Sequence, residues 1–159
     1  MHKRIYSILV CLLLLSAVLI PAGATEAEEP VVQIRKIEIS TAEEFLEFAE
    51  NCRLDSFSRN LHVYLKKDID LAGYSFEGVP TFSGTFWGMR RCISGLSITS
   101  DGSNRGLFRY LTEGAVVRDL NVSGQVQPGG SRGNVGAVVG TNGGEIRNCN
   151  FEGTVSGGD

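Results

Sequence analysis

The chain has 159 residues, 42% of them apolar and 21% charged, which excludes a disordered composition and fits one domain of about 100–200 residues. The net charge is −3, or −5 once Lys3 and Arg4 are set aside (13 basic against 18 acidic), so no basic field exists to attract nucleic acid. His62 is the only histidine beyond His2, so a Ser-His or Cys-His dyad has one candidate base. A zinc site would rest on carboxylates and scattered cysteines, and nothing in the composition calls for a cofactor. This is poor material for an enzyme.

The start of the chain reads as an address. MHKR is cationic, Ile5–Ile20 is a 16-residue apolar run, Pro21 breaks it, and Ala22-Gly23-Ala24 offers small residues for cleavage after Ala24. The run is short for a spanning helix, which needs roughly 20 residues. Cys11 lies inside the run behind bulky Val10, so it does not read as a lipid-attachment site. Residues 1–24 are therefore expected to be a signal peptide, with the protein secreted or held at the cell surface. Cys52, Cys92 and Cys149 remain, without CxxC spacing. They read as small buried hydrophobes, and a Cys52–Cys92 bridge stays open.

Residues 25–34, opening with TEAEEP, read as a flexible leader. VVQIRKIEI (31–39) alternates from Gln33 on and is rich in β-branched residues, as a strand requires. Ser40-Thr41-Ala42-Glu43 fits a capping box with Ser40 as the cap and Glu43 reaching back. Phe45, Ala49 and Cys52 then recur at helical spacing, with acids on the other face, which predicts a helix over 41–52. Leu61–Leu65 and Ile69–Leu71 read as strands. Together 35–84 form an expected N-terminal α/β cap.

Nineteen of the 20 glycines fall at residue 73 or later, and there the helical period gives way to repeats. GAVVRDLNVSGQV (114–126) sits above GGEIRNCNFEGTV (143–155) at a shift of 29, with five of 13 positions identical. Ile93-Ser94-Gly95-Leu96-Ser97-Ile98 fits the same apolar spacing at a shift of 24. The expected inward columns are thus Ile93/Val117/Ile146, Leu96/Leu120/Cys149 and Ile98/Val122/Phe151. A period in the range of about 20–50 residues, with short strands and Gly-rich turns, predicts a stacked β-solenoid over 85–159 with about three coils.

These residues carry a family resemblance. Gly106-Leu107-Phe108, Gly114 with VVRDLNVSGQV, and NVGAVVGTNGGEIRNCNFEGTVSG resemble the GLUG-motif repeats of bacterial surface and secreted proteins. The upstream KKDIDLAGYSF and FSGTFWGMRRCISGLSI are similar to the segment that leads into such repeats. Two copies depart from the Gly-Leu-any-Gly pattern, as Gly106-Leu107-Phe108-Arg109 and Ala137-Val138-Val139-Gly140. The resemblance, over roughly residues 40–159, implies a mainly β chain folded as a right-handed parallel β-helix. It also implies export and an adhesin-like or cell-wall-associated role, and it brings no shared catalytic residues. Some relatives are metallopeptidases, but their His-Glu-x-x-His zinc helix is missing from this sequence.

Several sharper readings remain. Arg118 with Asp119, and Arg147 with Asn148 one coil on, could bind an acidic sugar. The change of Asp119 to Asn148 between coils is also what an outward turn tolerates. Asp68 and Asp70 read as turn residues rather than calcium ligands. The Gly133–Gly140 run lacks dinucleotide spacing and a following helix. Asn121-Val122-Ser123 is a formal sequon on an outward strand position. Trp87, with Phe82, Phe86 and Tyr74 nearby, reads as a hydrophobic plug under the cap, with a sugar-stacking platform as the other reading. Trp87, Arg118, Asp119 and Arg147 are the candidate ligand contacts.

Function is expected to be that of an exported, non-catalytic surface or cell-wall β-helix module for adhesin-like binding or presentation, the N-terminal part of a longer protein. The alternative is a polysaccharide-acting lyase or hydrolase. Expected partners are a carbohydrate or a host or cell-surface protein, with end-to-end self-association or downstream coils at the open last coil.

Overall fold

The computed structural model describes residues 32–130 and 133–157. The expected signal peptide, and the leader up to Val31, lie outside the described residues. Among the described residues no helix is long and apolar enough to cross a membrane.

The alternation beginning at Gln33 becomes strand β1 (Arg35–Ile39), with Ile39 buried and Lys36 and Glu38 outward. Helix α1 (Ala42–Asn51) follows as its spacing predicts, but its cap sits one residue later than expected. Thr41 Oγ1 accepts from Glu44 N at 3.2 Å, and Glu44 Oε2 accepts from Ser40 N at 2.6 Å. The sequence offers both Ser40-x-x-Glu43 and Thr41-x-x-Glu44, and the second forms the box, with Thr41 N donating to Glu44 Oε2 at 3.3 Å. Glu43 is taken elsewhere, accepting the Tyr74 hydroxyl. The helix buries Phe45, Phe48 and Ala49, with Cys52 just beyond its end.

The rest of the chain winds through three parallel sheets. The first coil is β2 (Leu61–Leu65), β3 (Ile69–Asp70) and β4 (Val79–Phe82). The second is β5 (Thr85–Trp87), β6 (Cys92–Ile98) and β7 (Phe108–Leu111), and the third is β8 (Val116–Arg118), β9 (Asn121–Val126) and β10 (Val139–Asn142). Strands β11 (Glu145–Arg147) and β12 (Asn150–Val155) begin a fourth. The sheets are ordered β1-β2-β5-β8-β11, β3-β6-β9-β12 and β4-β7-β10, and every pairing is parallel. This is the mainly β solenoid expected, though coiling starts at Leu61 and not at residue 85. A two-residue strand, β3, and inward phenylalanines in place of β-branched residues hide the first coil in the sequence.

The repeat at a shift of 29 holds throughout: Ile146 stacks on Val117, Arg147 on Arg118, Phe151 on Val122 and Val155 on Val126. The copy at a shift of 24 does not. Phe86, not Ile93, stacks under Val117, and Ile93 stacks under Val122. The spacing i, i+3, i+5 occurs in both stretches for different reasons. Val117 and Val122 lie in two sheets on either side of the Asp119 corner, whereas Ile93, Leu96 and Ile98 share one strand. An irregularity between Ile93 and Leu96 returns that strand's side chains to the interior.

Inside, six phenylalanines fill the N-terminal half. Phe86 lies 5.4–6.4 Å, centroid to centroid, from Phe45, Phe48, Phe82 and Phe108, and Phe76 packs on Phe45 at 5.6 Å. Helix α1 therefore closes that end of the coil interior with the same aromatic cluster. At the other end Ile146 and Val155 are 39% and 41% exposed, while Val117 and Val126 one coil back are fully buried.

Cys149 takes the column of Leu120, as the repeat predicts, with Asn150 N donating to Leu120 O at 2.9 Å. Its Sγ donates to Val117 O and Arg147 O, and burial raises its pKa. Burial pushes the Cys52 thiol up to about 12. Against an ordinary thiol value of 9.0, that leaves roughly a thousandfold less thiolate. Native-state alkylation is therefore expected to spare Cys52 until the protein unfolds and to be slow at Cys149. Rapid labelling of Cys149 without denaturant would place it outside and break the register. Among the described residues Cys52, Cys92 and Cys149 are free, so no Cys52–Cys92 bridge forms here.

Candidate binding face

The first sheet alternates strictly. Leu61, Val63, Leu65, Phe86 and Val117 point inward, and the residues between them point out. Because adjacent strands are parallel and in register, outward residues stack into two columns. One runs Glu38, Tyr64, Trp87, Arg118, Arg147, and the other Lys36, His62, Thr85, Val116, Glu145.

Three of the four candidate contacts from the sequence, Trp87, Arg118 and Arg147, fall in the first column, and Asp119 sits at its edge. Trp87 is not the expected plug. Phe82 and Phe86 point inward and are fully buried, while Trp87 lies on the outer face with Tyr64 stacked on one side (5.8 Å between centroids, planes 5° apart). The Arg118 guanidinium covers the other side at 4.6 Å from the ring centroid, and Lys36 Nζ lies 4.9 Å from the Tyr64 ring. The result is a continuous stack, Lys36–Tyr64–Trp87–Arg118, with a cation at each end. Both faces of Trp87 are occupied, so a sugar ring cannot stack on it as on an open platform. The indole Nε1 is buried without a hydrogen-bond partner among the described residues.

Arg118 Nε also donates to Asp119 Oδ2 at 2.8 Å, and Asn148 Nδ2 donates to Asp119 Oδ1 at 2.6 Å. Arg147 Nη2 donates to Glu145 Oε2 at 2.6 Å, with its Nε on the same carboxylate. Asn148, then Arg118, hold the Asp119 carboxyl below its ordinary pKa, and Arg147 does the same for Glu145. A depressed carboxylate stabilises the fold above its unfolded pKa, and that contribution is lost as pH falls through the lower folded value. The melting temperature is therefore expected to fall on acidification below the ordinary carboxylate range. Asp119→Asn should flatten part of that fall in pH-dependent melts, and an unchanged slope would contradict the pairing.

Asp119 and Asn148 occupy one corner in successive coils, both with left-handed backbone, at φ 54° and 49°. Of the ordinary side chains, Asn and Asp tolerate this best. Both residues point outward at a turn, as expected, but they are held in place by partners. Asn148→Ala is expected to cost about 1 kcal/mol of stability and Asn148→Gly much less. Equal melts for the two would contradict the corner geometry.

The remaining sequence candidates take structural roles. Asp68 Oδ1 accepts from Cys92 N at 2.9 Å and Asp70 Oδ1 from Ala72 N at 3.0 Å, as turn residues do. Asn121 of the sequon donates to Arg90 O at 3.1 Å from a half-buried position. The Gly133–Gly140 run lies on the preceding coil, with Arg105 bridged to Val135, and leads into a strand. Sequence reasoning misses Tyr64 and Lys36. The alternation of LHVYL shows that Tyr64 faces outward, but only the register between β2 and β5 shows that it meets Trp87.

Comparison with known protein families gives one match, to part of the chain. The GLUG motif matches residues 131–156, a stretch that includes β10, β11 and β12. No curated protein and no solved structure matches the chain significantly.

Proposed function

We propose that this GLUG-motif solenoid is an exported, non-catalytic module of the cell surface or wall, whose first sheet meets a carbohydrate or surface-protein partner through Trp87, Arg118, Asp119 and Arg147. The observation that carries this reading is the convergence of those side chains on one outer face, braced by Tyr64 and Asn148. A rigid, pre-ordered face loses little side-chain entropy on binding. The carboxylates favour binding over the polysaccharide-lyase or hydrolase alternative. A glycosidase needs one carboxylic acid poised to donate a proton. Asp119 and Glu145 are both held toward the ionised form, and each already neutralises an arginine. The apolar run ending before Ala24 supports export.

Co-sedimentation of the purified chain with bacterial cell-wall sacculi and with an acidic polysaccharide such as polygalacturonate tests the reading. Saturable binding without release of reducing ends or unsaturated uronates is expected, weakened about tenfold by R118A/R147A. Product release would establish the enzyme instead, and the absence of binding to either would overturn the binding face.

A further inference from the structure

The chain between α1 and β2 runs as successive tight turns, with Leu54 N donating to Asn51 O, Phe57 N to Leu54 O and Arg59 N to Ser56 O. Ser58 pins this segment to the first coil: it is fully buried, and its Oγ accepts from Ser83 N at 3.0 Å. The pinned segment forms one wall of a groove of about 420 Å³, and the ends of β4 and β7 form the other. Asp55 and Arg59 line it from the first side, and Thr81, Tyr110 and Thr112 from the second. Small-molecule sites usually span about 300–1,000 Å³, and this groove falls within that range.

Tyr110 stacks in register on Thr81 of the coil before and is 39% exposed. Its hydroxyl accepts from Asn104 Nδ2. Asn104 is itself buried, and its Oδ1 accepts from Asn134 Nδ2 at 3.0 Å and from the Thr141 hydroxyl. A buried, fully engaged amide therefore braces the phenol. Trp87 is covered on both sides by Tyr64 and Arg118, whereas neither a ring nor a cation covers Tyr110 among the described residues. Asp55 and Arg59 are exposed, and among the described residues neither side chain has an ion-pair or hydrogen-bond partner. An uncovered aromatic ring thus shares one groove with a free acceptor, a free donor fork and two hydroxyls.

We propose that this groove binds a neutral sugar ring of a glycan chain, at a site separate from the first sheet. The charges of Asp55 and Arg59 cancel, and no other charged side chain lines the groove, so it favours neither an anion nor a cation. A pyranose matches what remains. Its hydroxyls donate to a carboxylate and accept from a guanidinium, and its C–H face packs on the negative face of an aromatic ring. With one wall pinned through Ser58 and Tyr110 braced by Asn104, little ordering opposes binding.

Saturation-transfer NMR of the purified chain with cellohexaose, xylohexaose, mannohexaose and the hexamer of N-acetylglucosamine tests the proposal. Saturable transfer to the ring C–H protons of at least one of these is expected. Y110A should weaken that binding about tenfold. D55A alters only an exposed turn, so it should weaken binding with an unchanged thermal melt. No transfer to any of these probes, or binding indifferent to Y110A or D55A, would overturn the groove as a sugar site. So would binding that R118A/R147A removes while Y110A leaves it intact. The probes are uncharged, so this outcome stands apart from that of acidic polysaccharide on the first sheet.

Discussion

Phe86→Ala is expected to destabilise the protein by about 3–5 kcal/mol. Phe86 is fully buried and touches Phe45 and Phe48 of the capping helix as well as Phe82 and Phe108 of the third sheet. It therefore joins cap and coils in one core, alongside the Phe48–Phe82 contact at 5.8 Å. Rigid β-strands surround it on three sides, so little collapse can refill the cavity. Equilibrium urea unfolding measures the loss. A change under about 1 kcal/mol would mean that the cap and the coils do not share that cluster.

The second large effect lies on the second sheet. Gly124→Ala is expected to cost about 3 kcal/mol, from strained backbone and steric overlap together. Gly124 has φ 144°, and a Cβ there would run into the Leu96 carbonyl oxygen of the coil below. Gly153 repeats the arrangement one coil on, with φ 151° and its own Cβ aimed at the Gly124 carbonyl. Backbone, not a flexible side chain, stands in the way, so nothing local can yield. The same substitution at Gly73, where an added methyl would meet no atom within 4 Å, should cost only the strain of its φ of 83°. Thermal melts of the two variants compare them directly, and equal losses would contradict the close stacking.

The parts of this fold legible in the sequence are those governed by local period. The helix α1 (Ala42–Asn51) and the strand LHVYL follow from spacing alone, and the 29-residue shift between the last two coils follows from matched columns. Apolar spacing misaligns the second coil because the same spacing can arise within a strand or across a corner, and sequence does not distinguish them. Only backbone pairing shows that Ile93 belongs with Val122. The binding face is half legible. Arg118, Asp119 and Arg147 stand out because the repeat places them together. Trp87 reads as inward because tryptophan near several phenylalanines usually packs with them. Its outward place depends on Phe86 taking the inward position beside it, and its partner Tyr64 lies 23 residues away in the chain.

Trp87 is the only tryptophan in the chain and sits between Tyr64 and Arg118 at the centre of the proposed face. Its fluorescence therefore reports on that face alone, and titrating the purified chain with solubilised wall fragments or polygalacturonate while following its emission is the most direct measurement. The proposed role predicts a saturable change that R118A/R147A weakens about tenfold, with the polysaccharide recovered intact. Emission unchanged at saturating ligand, or binding that the two arginine substitutions leave untouched, would contradict it.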